Sequence, residues 1–115
     1  MYSGFMLDFE LTPFQLAEIL KRPEREKTVL LDVREPGEYA LARIEGSILM
    51  PMGEVPGRAH RELDPEAHIV TICHHGVRSM SVAVWLRNEG FEQAQSLRGG
   101  IDAWSRLVDP AVPRY

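Results

Sequence analysis

The sequence predicts a single α/β domain built on a mostly parallel β-sheet, and three features support this. The length of 115 residues suits one domain, since globular domains most often run to roughly 100–150 residues. Hydrophobic residues make up 44% of the chain and charged residues 26%, which argues against disorder and against a fibrous repeat. Short apolar runs alternate with stretches of helix length, a pattern that indicates βαβ units and parallel strands.

The first elements are a short strand and a capped helix. The strand is expected over residues 5–9. A helix then begins with Thr12 as its N-cap, Pro13 at its first position and Gln15 completing a capping box. Pro23 ends this helix, because proline cannot continue the hydrogen-bond ladder.

The next segment contains the first strand that is expected to be buried. Residues 28–33 are rich in residues suited to a strand covered on both faces. A short helical turn is expected over residues 36–40 and a brief strand over residues 47–50. Residues 53–63 are polar and contain Pro56, so they fit either a short helix after that proline or a loop.

The second half of the chain contains another buried strand followed by a helix. The strand is expected over residues 68–72, and residues 79–88 carry apolar side chains at helical spacing. Gly90 is the C-terminal stop of this helix. In parallel sheets, sites lie beyond the carboxyl ends of the strands, so a site is expected after Asp32 and after Ile72.

A last strand and a last helix complete the predicted domain. The strand is expected over residues 94–97, and the helix over residues 101–107 after the break at Gly99-Gly100. The core is therefore expected over about residues 5–107, with an extended tail over residues 108–115.

Composition excludes several classes of protein. A net charge of −4 excludes strong non-specific binding to nucleic acid, which needs a basic face. One cysteine cannot form an intramolecular disulfide. No apolar run approaches the roughly 20 residues of a membrane span. The N-terminus carries acids early and has no basic region ahead of an apolar run, unlike a secretory signal. We expect a cytoplasmic protein without membrane or nucleic-acid partners.

The single cysteine lies where a predicted buried strand ends and a helix is about to begin. A lone cysteine is usually a small core residue, but polar residues follow Cys73. Gly76 permits a tight loop whose N–H groups form an anion nest, Arg78 supplies a permanent cation, and the helix near Ser79 adds the positive end of its dipole. Each factor favours thiolate over thiol. The sequence therefore predicts an exposed, activated sulfur.

Two reactions suit such a thiolate: attack on the outer sulfur of a thiosulfonate or persulfide, and attack on phosphorus. Four residues separate Cys73 from Arg78, whereas the loop of cysteine phosphatases is one residue longer. A smaller ring fits a terminal sulfur anion better than a phosphoryl group. Ile72 also stands where a phosphatase usually has histidine, so sulfur transfer is favoured.

Several motifs together resemble the single-domain rhodaneses. The active-site half of that family is similar to residues 69–79, Ile-Val-Thr-Ile-Cys-His-His-Gly-Val-Arg-Ser, and to residues 97–104. Its first signature is similar to residues 31–39, and its second to residues 43–47, where Arg-Ile-Glu-Gly-Ser replaces the usual histidine and proline by Arg and Glu. The resemblance implies a rhodanese-like domain with a parallel five-stranded sheet flanked by helices on both faces.

The resemblance also implies a ping-pong sulfurtransferase in which Cys73 carries a persulfide. The donor is expected to be thiosulfate or a persulfide, and the acceptor a thiol or cyanide. Arg78 and the loop N–H groups would bind the anionic part of the donor. The substrate-binding residues expected from this loop are His74, His75, Gly76, Val77, Arg78 and Ser79. No metal or organic cofactor is needed, since sulfur itself is the carried group.

Some residues keep two interpretations. His74 and His75 either help to bind donor anions or are exposed loop residues, and a metal site at Cys73 and these histidines is disfavoured because adjacent residues rarely surround one ion. Ser79 either hydrogen-bonds the sulfur or caps the helix, and capping is favoured. Asp32 and Arg34 are expected to form a buried ion pair that braces the active loop.

A structural role is likewise expected for Glu38, and for Gly99-Gly100 as a tight turn. Two alternative functions remain beside sulfur transfer: a non-catalytic module that uses the same fold to bind a partner protein, and, less favoured, a cysteine phosphatase or arsenate reductase.

Overall fold

The computed structural model describes residues 7–115 and contains one sheet of five parallel strands in the order β1-β5-β4-β2-β3. The strands are β1 (Glu10–Leu11), β2 (Thr28–Asp32), β3 (Ile48–Leu49), β4 (His68–Ile72) and β5 (Gln95–Leu97). The α-helices are α1 (Pro13–Leu20), α2 (Pro36–Leu41), α3 (Val55–Glu62), α4 (Val77–Asn88) and α5 (Gly100–Leu107). The predicted parallel five-stranded α/β fold is confirmed.

The two long central strands determine where a site can form. β2 and β4 pair in register from Thr28 opposite His68 to Asp32 opposite Ile72. The N–H of Val33 donates to the carbonyl of Ile72 at 2.9 Å, so the carboxyl ends of the two strands lie next to each other. The segments that follow the two strands therefore begin side by side.

Helices cover both faces of the sheet. Alternate side chains of a strand point to opposite faces, and in the central strands both sets include apolar side chains that are buried under helices. Leu31 and Ile69 belong to one buried cluster, which includes residues of α3 and α4. Leu30 and Val70 belong to a second cluster, which includes residues of α1 and α5. Trp104 is buried in the second cluster. The predicted covering of both faces is thus confirmed.

The first helix begins as predicted, but the first strand does not. The Thr12 hydroxyl accepts from the N–H of Gln15 at 3.1 Å, and the Gln15 side chain accepts from the N–H of Thr12 at 2.8 Å. The strand is Glu10–Leu11 rather than residues 7–9, because the register with β5 pairs Glu10 with Ser96 and Leu11 with Leu97. Residues 5 and 6 of the predicted strand lie outside the described residues.

Three helical segments differ from what the sequence predicted or left open. The ambiguous segment 53–63 forms α3, with a short 3-10 helix, Met52–Glu54, before it. α4 begins at Val77 rather than Ser79, because Gly76, with φ of +105°, turns the chain directly into the helix. A further 3-10 helix at Pro23–Lys27 had no signal in the sequence beyond its proline.

The tail is not extended as expected. Residues 110–112 form a turn, in which the N–H of Val112 donates to the carbonyl of Asp109 at 3.1 Å. Val112 is buried in the second cluster, and its carbonyl accepts from the Ser105 hydroxyl. The apolar side chain of Val112 therefore returns the tail to the domain. Within residues 7–115, no helix has the length and apolar character needed to cross a membrane.

Candidate active site

The sulfur of Cys73 lies inside a tight loop at the carboxyl end of β4. Its Sγ accepts from the backbone N–H of Gly76 at 3.0 Å and from that of Ser79 at 3.3 Å. The predicted inward-facing amide groups are therefore present. Backbone N–H groups aimed at one atom favour negative charge on it, and the second of them belongs to the first turn of α4, whose dipole adds to the effect.

The loop is anchored by the N-terminus of α5. The carbonyl of Cys73 accepts from the N–H of Ile101 at 2.8 Å, and that of His74 from the N–H of Asp102 at 3.1 Å. These bonds take both carbonyl oxygens away from the sulfur, where they would repel an anion. Gly100 makes this approach possible, since a Cβ there would collide with the same two carbonyl groups.

Cys73 is not exposed as the sequence predicted. It is 1% exposed and belongs to the first buried cluster. The loop that directs N–H groups at the sulfur also surrounds it, and the sulfur is therefore buried beneath the loop. The residues beside it remain accessible: His75 is exposed, and Val77 is 78% exposed.

Ser79 does not cap α4, contrary to the interpretation that the sequence favoured. The N-cap of α4 is Gly76, which has no side chain to accept a hydrogen bond. The Ser79 hydroxyl oxygen lies 3.3 Å from the Cys73 sulfur and 2.7 Å from the hydroxyl of Ser96. The alternative role, contact with the sulfur, is the one that the structure shows.

Arg78 is held by a carboxylate. Its guanidinium donates to both oxygens of Glu38, with Nη1–Oε1 at 2.7 Å and Nη2–Oε2 at 2.9 Å. This bond, more than any other interaction, lowers the pKa of Glu38 to about 2, although partial burial opposes the shift. The same carboxylate raises the pKa of Arg78. Glu38, which the sequence assigned only a structural role, is therefore part of the site.

The predicted ion pair of Asp32 and Arg34 is present and fully buried. Arg34 donates Nη2 to Oδ2 of Asp32 at 2.7 Å and Nε to Oδ1 at 2.9 Å, with neither side chain exposed. Burial disfavours the charge of Arg34, but the hydrogen bonds that Arg34 donates to Asp32 and Tyr115 outweigh this effect and raise its pKa. The remaining bonds of Arg34 go to the carbonyls of Glu38 and Ala42, so the pair braces α2 and not the cysteine loop directly.

Tyr115 joins these two ion pairs, and sequence reasoning missed it. Its hydroxyl accepts from Arg34 Nη1 at 2.8 Å and donates to Glu38 Oε2 at 2.8 Å. Its ring stacks on His74, with centroids 4.0 Å apart and planes 9° apart. Nothing in the sequence indicates this contact, since it depends on the turn that brings the tail back.

One group of side chains near the loop has atoms suited to a metal. Ligand atoms of His74, His75 and Asp102 lie within 4.8 Å of one another. Both oxygens of Asp102, however, already accept from Arg106 at 3.1 Å and Arg114 at 3.0 Å, and these bonds, that of Arg106 first, lower the pKa of Asp102. The carboxylate is therefore occupied by guanidinium groups.

The chain is similar to known proteins over most of its length. The model of the rhodanese-like domain family matches residues 15–107. The chain is 34% identical over 106 residues to the thiosulfate sulfurtransferase GlpE of Actinobacillus pleuropneumoniae serotype 3, covering 92% of this chain and 94% of that protein. A rhodanese-related protein from Thermoplasma volcanium has a similar structure, with a TM-score of 0.78, 28% identity, and coverage of 94% of this chain and all of that one.

A longer relative is similar over part of its length. The chain is 38% identical over 93 residues to the rhodanese-like/PpiC domain-containing protein 12, chloroplastic, of Arabidopsis thaliana. It spans only 31% of that protein, so the likeness concerns one domain of a larger chain.

Proposed function

This chain belongs to the rhodanese-like domain family, and from that premise we propose that it is a sulfurtransferase that carries a sulfane sulfur as a persulfide on Cys73. The observation that supports this proposal most directly is the pair of N–H groups, from Gly76 and Ser79, that meet at the Cys73 sulfur. Donors fixed in that position stabilise a thiolate before the reaction and a persulfide anion after it.

In the first half-reaction, the Cys73 thiolate attacks the outer sulfur of thiosulfate. A sulfur–sulfur bond forms on Cys73 as the sulfur–sulfur bond of thiosulfate breaks, and sulfite leaves with the bonding electron pair. The negative charges of the reactants all reappear in the persulfide and the sulfite. Relatives such as GlpE are named thiosulfate sulfurtransferases, which supports thiosulfate as a donor here.

In the second half-reaction, a nucleophilic acceptor removes the carried sulfur. A thiolate or cyanide attacks the outer atom of the persulfide, and the Cys73 thiolate leaves and is regenerated. Covalent storage divides the transfer into two displacements, so the kinetics are ping-pong. The sulfur itself is the carried group, and this chemistry uses no metal or organic cofactor.

The loop residues provide the binding site for the donor in this proposal. The N–H groups of the loop hold the sulfur that is transferred, and Arg78 holds the anionic end that leaves as sulfite. Two N–H groups of Arg78 are taken by Glu38, which leaves the others for the donor. We also propose a cytoplasmic location, because the reaction needs its one thiol reduced.

Mass spectrometry of the intact protein after incubation with thiosulfate tests the proposal. We expect the wild type to gain the mass of one sulfur atom, to lose it on addition of cyanide, and to release thiocyanate. Cys73→Ser should gain no sulfur and show no turnover, while its thermal unfolding stays close to that of the wild type.

The same experiment separates the alternative functions. A wild-type protein that gains no sulfur from thiosulfate or from a small-molecule persulfide would contradict the proposal and favour a non-catalytic binding module. Turnover of an aryl phosphate or of arsenate in place of sulfur loading would favour the phosphatase or reductase. Full sulfur transfer by Cys73→Ser would exclude Cys73 as the carrier.

A further inference from the structure

A continuous chain of hydrogen bonds links a fully buried ion pair to the cation of the cysteine loop. It runs from Asp32 to Arg34, from Arg34 to the hydroxyl of Tyr115, from Tyr115 to Glu38, and from Glu38 to Arg78. Tyr115 is the member that connects the buried pair to the part-exposed one through side chains. Tyr115 is 38% exposed, so packing alone does not account for its place among these hydrogen bonds.

We propose that Tyr115 is a positioning residue for Arg78, and that it thereby determines how well the site binds the charged sulfonate end of a doubly charged sulfur donor such as thiosulfate. The inference rests on the proposed function. It assigns to Tyr115 no contact with the reacting sulfur atoms; the residue acts through Glu38 on the guanidinium that receives the donor.

The carboxylate of Glu38 sets the orientation of Arg78. A bidentate pair holds the guanidinium in a defined orientation relative to the carboxylate. Rotation of the Glu38 carboxylate would therefore carry Arg78 with it. Within the described part of the chain, three groups restrain that carboxylate: Arg78 itself, the backbone N–H of Glu35 at 3.1 Å, and the hydroxyl of Tyr115 at 2.8 Å. Of these, the hydroxyl is the contact made by a side chain from outside α2 and the cysteine loop.

The hydroxyl hydrogen of Tyr115 points at Glu38. Arg34 can only donate, so its 2.8 Å bond to the Tyr115 oxygen leaves the phenolic hydrogen free to point at Glu38. Arg34 is itself immobile, since it is fully buried and bonded twice to Asp32. The Tyr115 hydroxyl is thus presented to Glu38 from a fixed support. Burial raises the pKa of Tyr115, which keeps this hydrogen in place at neutral pH.

The ring of Tyr115 contacts the cysteine loop. Tyr115 stacks on His74 at a centroid distance of 4.0 Å, and His74 directly follows Cys73 in the loop. One side chain therefore contacts the loop through its ring and the counterion of Arg78 through its hydroxyl. Removing the hydroxyl while retaining the ring separates the two contacts, and this defines the test.

Tyr115→Phe retains the stacked ring and removes the hydroxyl. Tyr39→Phe is the matched control, because Tyr39 is a partly buried tyrosine whose hydroxyl donates to the carbonyl of Ser47 at 2.8 Å, outside the chain of bonds that ends at Arg78. Steady-state kinetics with thiosulfate and cyanide give kcat/KM separately for donor and acceptor, because each half-reaction of a ping-pong mechanism is independent.

For Tyr115→Phe we expect kcat/KM for thiosulfate to fall about threefold to tenfold, while kcat/KM for cyanide stays within about twofold. The melting temperature should fall modestly, because the hydrogen bonds of the hydroxyl with buried Arg34 and with Glu38 are lost. With a singly charged aryl thiosulfonate as donor, the fall in kcat/KM should be smaller. Tyr39→Phe also loses hydroxyl hydrogen bonds but should leave both kcat/KM values at the wild-type level. A merely structural role of Tyr115 would reduce both half-reactions equally.

The outcomes separate this inference from the proposed function. A wild-type protein that cannot be loaded with sulfur would overturn the proposed function and this role with it. A wild type that loads normally, together with a Tyr115→Phe variant of unchanged kcat/KM for thiosulfate, would overturn only the role of Tyr115. An equal fall for the doubly and singly charged donors would also overturn it, since the argument depends on the charged end of the donor.

Discussion

At the scale of single residues, the carboxylate of Glu38 is the acceptor on which the cation of the loop depends. It accepts hydrogen bonds from Nη1 and Nη2 of Arg78, from the hydroxyl of Tyr115 and from the backbone N–H of Glu35. Hydrogen bonds to charged groups are roughly twice as strong as neutral ones. Because Arg78 above all holds the pKa of Glu38 at about 2, the carboxylate stays ionised at neutral pH.

This residue predicts how stability depends on pH. The unfolded chain has the ordinary pKa of 4.5 and binds the proton more tightly than the folded protein. The stabilisation from ionised Glu38 is therefore complete above about pH 4.5 and is lost as the pH falls toward 2. We expect Glu38→Gln to be less stable than the wild type by about 2 kcal/mol at neutral pH, after allowance for solvent screening.

Urea denaturation at neutral, weakly acidic and strongly acidic pH measures this difference. The gap between the wild type and Glu38→Gln should close as the pH approaches 2, whereas Glu92→Gln, at an exposed position, should follow the wild type throughout. A gap that is the same at neutral and at strongly acidic pH would contradict the assignment of the low pKa to Glu38.

The buried pair of Asp32 and Arg34 shows a different balance at the same scale. Both charges are removed from water, and such pairs are often no more stabilising than apolar residues of the same volume. Here the guanidinium also donates to carbonyls of α2 and to Tyr115. What the pair provides is therefore a fixed set of donors beside the site, rather than stability alone.

At the scale of elements, the first turn of α5 and the cysteine loop form one unit. The N–H groups of Ile101 and Asp102 bind carbonyls of the loop, which leaves few ways for the loop to move without unwinding the helix end. Gly100 lies at the contact with φ of +62° and no side chain. The turn predicted at Gly99-Gly100 is thus also where the cysteine loop packs against α5.

Gly100→Ala should therefore affect both stability and activity. The substitution imposes a left-handed conformation on an alanine and drives its Cβ into the carbonyls of Cys73 and His74, which we expect to cost about 2–4 kcal/mol. Sulfur loading by thiosulfate should slow by about tenfold or more, because the loop must shift. Urea unfolding and the rate of the mass change report the two effects.

Gly57→Ala is the matched control for this prediction. Gly57 lies within α3, and a Cβ there would meet nothing within 4 Å. It should stabilise the protein by about 0.5–1 kcal/mol, since alanine favours a helix over glycine, with sulfur loading unaffected. If Gly100→Ala loaded sulfur at the wild-type rate with unchanged stability, the loop would not depend on this contact.

At the scale of the whole molecule, the strand order places the two five-residue strands in the interior and the two-residue strands at the edges. β2 and β4 are covered on both faces by the two buried clusters. Short edge strands offer little surface for pairing with another chain. The site therefore lies at the end of the most protected part of the fold.

Native-state hydrogen exchange should reproduce this arrangement. We expect the amides of Leu31 and Val70, in the central strands, to exchange only by global unfolding, since local openings leave the core strands paired. The amides of the edge strands β1 and β3 should exchange at least about tenfold faster. Equal protection of edge and centre would show that the sheet opens as one unit.

Local signals in the sequence predicted much of the fold because the forces behind them are local. The capping box of Thr12 and Gln15 needs only neighbouring residues, and the apolar run of β4 needs only burial on both faces. The first strand was misplaced because its limits depend on register with β5. Position in a sheet is decided by a partner that is distant in the chain.

The same distinction holds for the site. Cys73, Gly76 and Arg78 lie close together in the sequence, so the thiol, the turn and the cation could be predicted to form one loop. The prediction that this loop carries a sulfur atom came from the resemblance to the rhodaneses. The enclosure of Cys73, the contact of Ser79 with sulfur and the carboxylate that holds Arg78 could not be read in this way. They arise where α2, α4 and the loop pack together.

By itself, then, the amino-acid sequence determined the class of fold and the family, and it singled out Cys73 as the proposed nucleophile, because each is encoded in residues that are close along the chain. Only the tertiary structure decided how Cys73 is surrounded. Tyr115 reaches Glu38 and His74 because the turn at residues 110–112 and the burial of Val112 return the tail to the domain. Such contacts depend on how the chain closes on itself, and no local pattern of residues records that.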